Sequence, residues 1–283
     1  MNISMNIPPS RPVVLCLSGH DPSGGAGLQA DIEALLAQGC HAAPTVTALT
    51  VQDTANVRDF RVLDRAWVLA QAQAVIADLP IAAVKLGMLG SLEMVDTVVE
   101  IMQQLPDTPL VCDPVLRAGG GGSLGKEDVG YAIRERLLPQ ALIATPNLPE
   151  ARLLAELPAG TADECAARLL PHCQNLLITG GHGDEQAIHN RLYCRDGSRH
   201  DFTCPRLPGS YHGSGCTLAS AIAGLLAGGA SVEDAVRDAE DYTWQTLANG
   251  FRPGMGQFIP DRFFWARGED DESREQDKDD GQK

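Results

Sequence analysis

One cysteine in this sequence stands where its thiolate could accept a proton. In the segment HGSGCTLASAIAGLL, Gly213, Ser214 and Gly215 precede Cys216, and a run of small apolar residues follows. Small residues before a helix leave the backbone N–H groups of its first turn free, and the helix dipole adds partial positive charge, so the pattern predicts an anion site. The same field lowers the pKa of a thiol in the first turn, which predicts that Cys216 takes a proton from a bound alcohol. A buried structural cysteine is the alternative.

Two acidic residues follow predicted strands and suit a divalent cation. Asp113 ends the run PLVCDP, and Glu150 begins a helix within TPNLPEARLL, after the next strand. Carboxylates at neighbouring strand ends are ligands that Mg²⁺ accepts directly or through its water molecules. Either residue could instead be a helix cap or a surface acid, and that alternative stays open.

Two glycine-rich turns follow strands and would let the backbone approach a ligand. The first, SGHDPSGGAGLQAD, ends in Asp31. This residue lies in the first turn of a predicted helix, and its carboxylate could point back toward the ligand crevice. The turn matches neither GxGxxG nor the phosphate-binding pattern GxxxxGK followed by Ser or Thr, so on its own it indicates little. The second, ITGGHGD, could lie along a nucleotide, with His182 best interpreted as a solvated turn residue.

Short apolar runs alternate with longer helical patterns along the chain, which indicates βαβ units around a parallel sheet. Strands are predicted at 13–18, 43–51, 82–87, 109–114 and 141–146, and helices at 27–38, 65–79, 91–104, 126–138, 214–228 and 231–248. Residues 176–204 change to shorter runs around polar turns, which predicts an antiparallel end to the sheet. Open parallel sheets bind ligands at the carboxyl ends of their strands, so the turns described above should meet in one crevice.

Composition and charge exclude several classes of protein. The net charge of −15 does not suit a nucleic-acid partner, which requires a basic surface. No uncharged apolar stretch approaches the length of about 18 residues that a membrane span needs, so no membrane partner is expected. The eight cysteines show neither paired CxxC spacing nor a zinc pattern, and with no recognisable signal peptide they predict a cytoplasmic protein.

The chain is predicted to form one domain over residues 13–266. Residues 1–12 are expected to be a flexible segment, and residues 267–283 an acidic tail. Within that tail, residues 268–283 contain eight acidic and three basic residues. Almost none is apolar, so the tail cannot offset its own ordering entropy and is predicted to be disordered.

Taken together, these segments resemble the hydroxymethylpyrimidine/phosphomethylpyrimidine kinases of thiamine biosynthesis, a family of the ribokinase-like superfamily. The matching segments are SGHDPSGGAGLQAD, TALTVQDT, VKLGMLGS, DPV, TPNLPEA, GGH and HGSGCTLASAIA, in the family's order. The resemblance implies a three-layer α/β/α ribokinase-like fold with a central, mostly parallel sheet. It also implies a kinase that uses ATP and Mg²⁺, acts on a small pyrimidine and forms a homodimer.

The resemblance assigns roles to residues of a pyrimidine pocket. Gln52 matches the glutamine that hydrogen-bonds the aminopyrimidine edge, a role that suits an amide because it offers both a donor and an acceptor. The other residues implied to line this pocket are Gly19, Asp31, Met88, Val115 and His212.

The phosphate end of the implied site combines acids, amide and hydroxyl groups, and glycine backbone. The residues implied there are Asp113 and Glu150 near Mg²⁺, Asn147, Thr179 and Gly181 on the nucleotide, and Gly213, Ser214 and Gly215 as the anion hole. Cys216 takes the place where other members of the superfamily carry an aspartate base.

The sequence departs from the family pattern at three places. Thr179 stands where the family has a lysine near the ATP phosphates, and Ser214 replaces a threonine of the anion hole. After DPV the chain reads LRAGGGGSLG, with four glycines at 119–122, in place of an AKSGD-like segment. Loss of the phosphate-facing lysine would lower activity or alter nucleotide choice unless Arg117, the nearby cation, compensates.

The predicted reaction is phosphorylation by ATP of the hydroxymethyl group of 4-amino-5-hydroxymethyl-2-methylpyrimidine. The sequence leaves open a second step, from the monophosphate to the diphosphate. A pyridoxal or pyridoxine kinase shares the fold and mechanism and is the first alternative, against which Gln52 and the DPSGGAG opening argue. A non-catalytic pyrimidine-binding sensor is the second alternative, supported by Thr179 and opposed by the intact HGSGC segment.

Overall fold

Strand β1 (Val13–His20) shows why this sequence forms a layered sheet. The computed structural model that reveals it describes residues 11–116, 127–181 and 186–266. Leu15 and Leu17 pack into one apolar layer, whereas Val14 and Cys16 pack into another. Since its side chains are apolar on both faces, the strand must be covered on both, as strands of parallel sheets are.

Nine strands of the described residues form one sheet, in the order β3-β2-β1-β4-β5-β6-β7-β8-β9. After β1 they are β2 (His41–Gln52), β3 (Val57–Val62), β4 (Ile81–Leu86), β5 (Leu110–Cys112), β6 (Ile143–Ala144), β7 (Asn175–Ile178), β8 (Ala187–Cys194) and β9 (Arg199–Pro205). The strands from β2 through β1 and β4 to β7 pair in parallel, while β3, β8 and β9 pair antiparallel. The carboxyl ends of the parallel strands therefore lie at one edge of the sheet.

Helices cover both faces of this sheet. In the described ranges they are α1 (Gly27–Ala37), α2 (Arg65–Asp78), α3 (Leu92–Met102), α4 (Glu127–Ala132), α5 (Leu148–Ala155), α6 (Ala162–Leu169), α7 (Ser214–Ala227) and α8 (Val232–Ala248). Buried residues of α1, α7 and α8 pack on one face, and those of α2 to α6 pack on the other. The expected three-layer α/β/α architecture with a mostly parallel sheet is confirmed.

The edges of the sheet test the finer predictions. The antiparallel pairing of β7, β8 and β9 confirms what the short runs over 176–204 predict. Strand β3 is not predicted, because none of its residues is fully buried and its apolar signal is weak. The predicted helix over 126–138 begins as α4 but continues as a wider π-helical turn over Ile133–Leu137.

Several predictions concern residues outside the described ranges. These are residues 1–10 of the expected flexible segment, the whole acidic tail, Arg117 with the glycines at 119–122, and His182. The extent of the single domain, 13–266, stays a prediction. Among the described helices, none combines the length and the apolar character that crossing a bilayer requires.

Candidate active site

A cavity of about 530 Å³ lies where the carboxyl ends of the parallel strands meet. Its wall contains every predicted site residue except Asp31, namely Gly19, Gln52, Met88, Asp113, Val115, Asn147, Glu150, Thr179, Gly181, His212, Gly213, Ser214, Gly215 and Cys216. The strand order puts Gln52, at the end of β2, on one side of this cavity and Thr179, after β7, on the other. Helix α7 packs on β1, β4 and β5, between those two sides.

Two glycine turns pack backbone against backbone in the cavity wall. Gly213 has a φ of 87°, and a Cβ atom there would lie 2.0 Å from the carbonyl oxygen of Gly25. A larger residue would force the turns apart, so glycine is required on both counts. The contact holds the loop that leads into α1 against the start of α7.

Asp21 and His212 join the same two segments through side chains. The Nε2 atom of His212 lies 2.8 Å from Asp21 Oδ2, and the backbone N–H and hydroxyl of Ser23 donate to Asp21 Oδ1. Burial acts to raise the pKa of Asp21, but hydrogen bonds from His212 and Ser23 outweigh it and hold the pKa below its ordinary value. His212 thus lies in the predicted pocket, with one ring nitrogen committed to Asp21.

Arg262 adds a third link that the sequence does not reveal. Its side chain is fully buried, and its Nε donates to the Thr217 hydroxyl at 2.9 Å. Its two terminal nitrogens donate to the Gly25 carbonyl at 2.5 Å and to Glu33 Oε2 at 2.9 Å. One guanidinium group therefore fixes both the glycine loop and the first turn of α7 to the C-terminal segment.

Helix α7 begins with Gly213 as its N-cap, and no side chain in the described part of the chain caps it. The backbone N–H groups of the first turn have no partner within the helix and keep their capacity for a ligand. Together with the helix dipole they form the kind of anion site that the sequence predicts around Ser214 and Gly215.

Cys216 lies half-buried in this first turn, and a hydrogen bond from the Gly27 backbone reaches its sulfur. Burial raises the pKa of the Cys216 thiol to about 11, with a further increase from Asp113 and Asp31. Lys85 and the Gly27 N–H act in the opposite direction. The prediction that the helix start lowers this pKa is therefore wrong for the free protein, because the loss of solvation outweighs the dipole.

Asp31 does not reach the cavity, which corrects its assignment to the pyrimidine pocket. Its buried Oδ1 lies 2.6 Å from Lys85 Nζ and accepts a hydrogen bond of 2.7 Å from the Ser220 hydroxyl. Lys85 itself lies in the cavity wall and also donates to the Ser18 hydroxyl at 3.2 Å. The ion pair directs the carboxylate into the interior, so the cavity presents a lysine where an aspartate was expected.

Lys85 keeps its positive charge although it is fully buried. Burial acts to lower the pKa of Lys85, but Asp31, Cys216 and Asp113 together raise it well above its ordinary value. The cavity wall therefore carries a positive charge at Lys85, which the neighbouring Asp31 carboxylate balances.

Asp113 and Glu150 both reach the cavity, but their carboxylates have different surroundings. Burial raises the pKa of Asp113 to about 6, although Lys85 acts to lower it. The Glu150 carboxylate accepts hydrogen bonds from the Asn147 backbone at 3.1 Å and the Leu116 backbone at 3.3 Å. Glu150 is thus part of the capping box that begins α5.

These surroundings decide how well the two acids suit a metal. Across 11–116, 127–181 and 186–266, no cluster of three or more His, Cys, Asp or Glu side chains is arranged to hold an ion. Mg²⁺ is commonly held by one or two carboxylates, with substrate phosphates and water as its other ligands. Asp113 fits that mode as a direct ligand, whereas Glu150 fits it through water.

The side of the cavity near β2 combines an amide with an apolar floor. Gln52 Nε2 donates to the Thr50 hydroxyl at 2.7 Å, and that hydroxyl donates to the His20 carbonyl at 2.9 Å. Met88 and Val115 pack in a small apolar cluster beside it. An apolar floor with few polar groups at its edge suits a flat ring with polar substituents.

The opposite side is built on the glycine turn after β7. Thr179 pairs with Asn147, whose Oδ1 caps α5, and Gly181 follows with a φ of 93°. The Arg206 guanidinium donates to the Gly181 carbonyl at 3.2 Å and lies in the cavity wall. A cation is therefore present beside the turn although residue 179 is a threonine, and no sequence signal identified it.

The chain is similar over most of its length to named kinases. The model of the family described as phosphomethylpyrimidine kinase matches residues 21–261. Over 271 residues the chain is 40% identical to a hydroxymethylpyrimidine/phosphomethylpyrimidine kinase of Streptomyces coelicolor, covering 93% of the chain and 98% of that protein.

Solved structures show the same likeness. The pyridoxal kinase from Staphylococcus aureus in complex with AMP-PCP and pyridoxal superposes with a TM-score of 0.83 at 26% identity, covering 91% of the chain and 96% of that structure. A phosphomethylpyrimidine kinase from Clostridium difficile gives a TM-score of 0.72 at 31% identity, covering 84% of the chain and 100% of that structure.

Proposed function

The chain belongs to the phosphomethylpyrimidine kinase family, and we propose that it transfers a phosphoryl group from ATP to the hydroxymethyl group of 4-amino-5-hydroxymethyl-2-methylpyrimidine. The observation that carries the proposal is the arrangement of one cavity. The Gln52 amide lies on one side, the start of α7 with Cys216 packs centrally, and the glycine turn with Arg206 lies on the other side. A ring alcohol and a nucleoside triphosphate entering from these two sides would meet at the anion site.

The first turn of α7 is suited to hold the transferred phosphoryl group. Phosphoryl transfer depends on positioning and charge stabilisation more than on covalent chemistry. Uncapped N–H groups around Gly213, Ser214 and Gly215 supply partial positive charge, and the Lys85 ammonium group adds a full charge nearby. The packing of Gly213 on Gly25 supports a fixed distance between this anion site and the loop before α1.

Cys216 is the group we assign to accept the hydroxyl proton. Its thiolate is the form that can do so, and burial makes the thiol the dominant form of the free protein at neutral pH. Lys85 favours the thiolate by charge, which supports a role for the buried ion pair in preparing the base. Base catalysis by this residue requires that turnover rise with pH.

Asp113 is the protein ligand we assign to Mg²⁺, with Glu150 contacting the ion through water. When bound, the ion would neutralise charge on the nucleotide phosphates. The raised pKa of Asp113 reflects a carboxylate that a cation would stabilise.

The two ends of the cavity receive the two substrates in this proposal. Gln52 reads the aminopyrimidine edge over Met88 and Val115, while Asn147, Thr179 and Gly181 lie along ATP. Arg206, beside Gly181, supplies the cation expected from a lysine at position 179. We extend the proposal to the monophosphate as a second acceptor, because the Streptomyces coelicolor relative is named for both substrates.

A homodimer and a cytoplasmic location stay predictions, from the family resemblance and from composition respectively. A pyridoxal kinase is the second candidate function, favoured by the shared fold of the Staphylococcus aureus enzyme that binds pyridoxal. A non-catalytic pyrimidine sensor is the third, since Thr179 replaces a lysine of the family pattern.

Release of ADP from Mg²⁺-ATP separates these candidates when each ring alcohol is supplied at matched concentration. We expect turnover of the hydroxymethylpyrimidine to exceed that of pyridoxal. The reverse order would make the protein a pyridoxal kinase. Binding of the pyrimidine by calorimetry without ADP release from any ring alcohol would make it a sensor.

Gln52→Leu tests ring recognition within the same assay. The loss of a buried hydrogen-bond partner should weaken pyrimidine binding by about 1–3 kcal/mol, seen as a higher KM, while the KM for ATP stays constant. Gln73→Leu, on an exposed position of α2, is the matched control and should behave as the unmodified protein. An unchanged KM in the Gln52 variant would remove this residue from the recognition of the ring.

A further inference from the structure

One face of α8 forms part of the cavity wall on the side of the glycine turn. Glu240, Thr243, Trp244 and Leu247 follow one another at helical spacing along this face. Beside them in the wall lie apolar residues of β8, of the end of β9 and of the segment that follows it, namely Ile188, Pro205 and Leu207. We call the space between α8 and these residues the slot.

The walls of the slot suit a flat aromatic ring. The indole Nε1 of Trp244 donates to the Pro205 carbonyl at 3.0 Å, which fixes the ring within the wall. Aromatic and aliphatic side chains that are held in place stack on nucleobases without distinguishing one base from another. Any choice between bases must therefore come from the polar groups of the slot.

Glu240 is the acidic group of this slot. Its two carboxylate oxygens accept hydrogen bonds of 2.8 and 2.7 Å from Asn190 Nδ2. Asn190 Oδ1 in turn accepts a hydrogen bond of 2.7 Å from the Gly180 backbone. The amide thus links α8, β8 and the glycine turn, and it holds the carboxylate in one orientation.

The carboxylate keeps unused acceptor capacity in this position. Two ionised oxygens offer about four acceptor sites, of which Asn190 occupies two. Within the described ranges, no ion pair joins Glu240 to a cation. Burial raises the pKa of Glu240 to about 7, against the lowering effect of the Asn190 hydrogen bonds and with a further increase from Asp241. A desolvated acid whose described partner is a neutral amide would gain from an additional donor.

We propose that Glu240 selects the nucleobase by accepting a hydrogen bond from the 6-amino group of adenine. This inference rests on the proposed function, in which the side of the cavity near Gly181 receives a nucleoside triphosphate. Guanine carries a carbonyl oxygen at the same position, and the ionised form of Glu240 would face that oxygen as a second acceptor. The apolar walls give affinity for purines in general, and Glu240 gives the preference for adenine.

Calorimetric titration without the pyrimidine tests this selection apart from turnover. The probes are the Mg²⁺ complexes of ATP, GTP and purine riboside triphosphate, which lacks the 6-amino group. We expect the protein to bind ATP at least about tenfold more tightly than purine riboside triphosphate, the size of effect that one buried hydrogen bond supplies. Glu240→Ala should bring the two dissociation constants together by weakening ATP alone.

Two further variants separate recognition from support of the fold. Glu240→Gln keeps an acceptor for Asn190 and adds a donor for the guanine carbonyl, so the affinity for GTP should rise relative to ATP. Asp238→Ala removes an acid from another exposed position of α8 and should leave all three affinities unchanged.

Several results of these titrations would overturn the inference about Glu240. Equal affinities of the unmodified protein for ATP and purine riboside triphosphate would overturn the inference. So would a Glu240→Ala variant that loses affinity for both to the same extent, because Glu240 would then only support the slot. If Glu240→Ala fails to fold, an unchanged ATP-to-GTP ratio in Glu240→Gln overturns it. Selective ATP binding without ADP release would overturn the proposed catalysis and leave base selection intact, whereas no binding of any nucleotide would overturn both.

Discussion

Lys85→Met removes one charge from the buried ion pair while keeping the length of the side chain. Lys85 Nζ lies 2.6 Å from Asp31 Oδ1, and both side chains are fully buried. At an effective dielectric constant of about 20, such a distance corresponds to an attraction of about 6 kcal/mol. Most of that attraction offsets the cost of removing two ions from water, which is several kcal/mol for each ion.

Lys85→Met should lower the free energy of unfolding by more than the ion pair contributes in net terms. Asp31 Oδ2 already lacks a hydrogen-bond partner among the described residues, so the carboxylate left behind has little to compensate the lost cation. Breaking a buried pair in this way costs about 3–5 kcal/mol, and we expect the free energy of unfolding to fall by that amount. Urea titrations at pH 7.5, extrapolated linearly to zero denaturant, measure the change.

Two companion variants make the interpretation specific. Ser220→Ala removes the Ser220 hydrogen bond to Asp31 and should cost only about 1–2 kcal/mol. Combining Lys85→Met with Asp31→Leu removes both charges and should recover most of the loss, because apolar replacement of a buried pair is often neutral or stabilising.

The same proteins test whether the pair acts on the thiol. Iodoacetamide should alkylate Cys216 more slowly in Lys85→Met than in the unmodified protein at pH 8, because the charge that favours thiolate is gone. A loss of less than about 1 kcal/mol in Lys85→Met would refute the electrostatic reasoning, since a broken buried pair should cost at least three times as much. A double variant less stable than Lys85→Met would refute it as well.

The raised pKa values of Cys216 and Asp113 lead to three further predictions. Because the pKa of Cys216 is about 11, its alkylation rate should rise about tenfold per pH unit from pH 7 to 10, and a plateau below pH 9 would contradict this. Cys216→Ala should lower kcat by about 10²–10⁴ and abolish its rise with pH; a near-normal kcat would show that the cysteine only packs. The folded pKa of Asp113, about 6, exceeds its ordinary 3.8, so its stabilising contribution is complete below pH 3.8 and is lost as pH rises through 6. The difference in unfolding free energy between the unmodified protein and Asp113→Asn should therefore shift by about 2.4 kcal/mol in favour of the variant from pH 4 to pH 7, measured by urea titration.

Local sequence patterns predicted most of the fold and the position of the candidate site. The apolar residues of β1 identified a strand covered on both faces, and the side chain of Ser91, the first residue of the helix predicted over 91–104, caps α3. Glycine turns after successive strands predicted a shared crevice, because parallel strands end at one edge. These inferences succeeded since each depends on neighbours in sequence or on a general rule of sheet topology.

Contacts between residues that are distant in sequence were not predicted, because no local pattern shows which residues meet in the folded chain. Asp31 was expected in the pocket because nothing local shows that Lys85, on another strand, neutralises it. A signal was nevertheless present: a lysine inside the apolar strand of AAVKLG requires a buried partner of opposite charge. Arg262 likewise lies far along the chain from the loop that it fixes. The prediction of a lowered pKa for Cys216 was wrong because a sequence indicates where a helix begins but not how deeply the thiol is buried. Burial raises the pKa by more than the helix dipole lowers it.

The positions of the cations explain how the chain can lack the lysine of the family pattern. Thr179 itself carries no positive charge, but Arg206, in the segment that follows β9, reaches the Gly181 carbonyl. A guanidinium group is planar and can hold two phosphate oxygens at once, whereas an ammonium group acts as a point charge. Lys85, which also lies in the cavity wall and interacts with Cys216, supplies the point charge in this proposal. We therefore expect the substitution at position 179 to change how the triphosphate is oriented more than how tightly it is held.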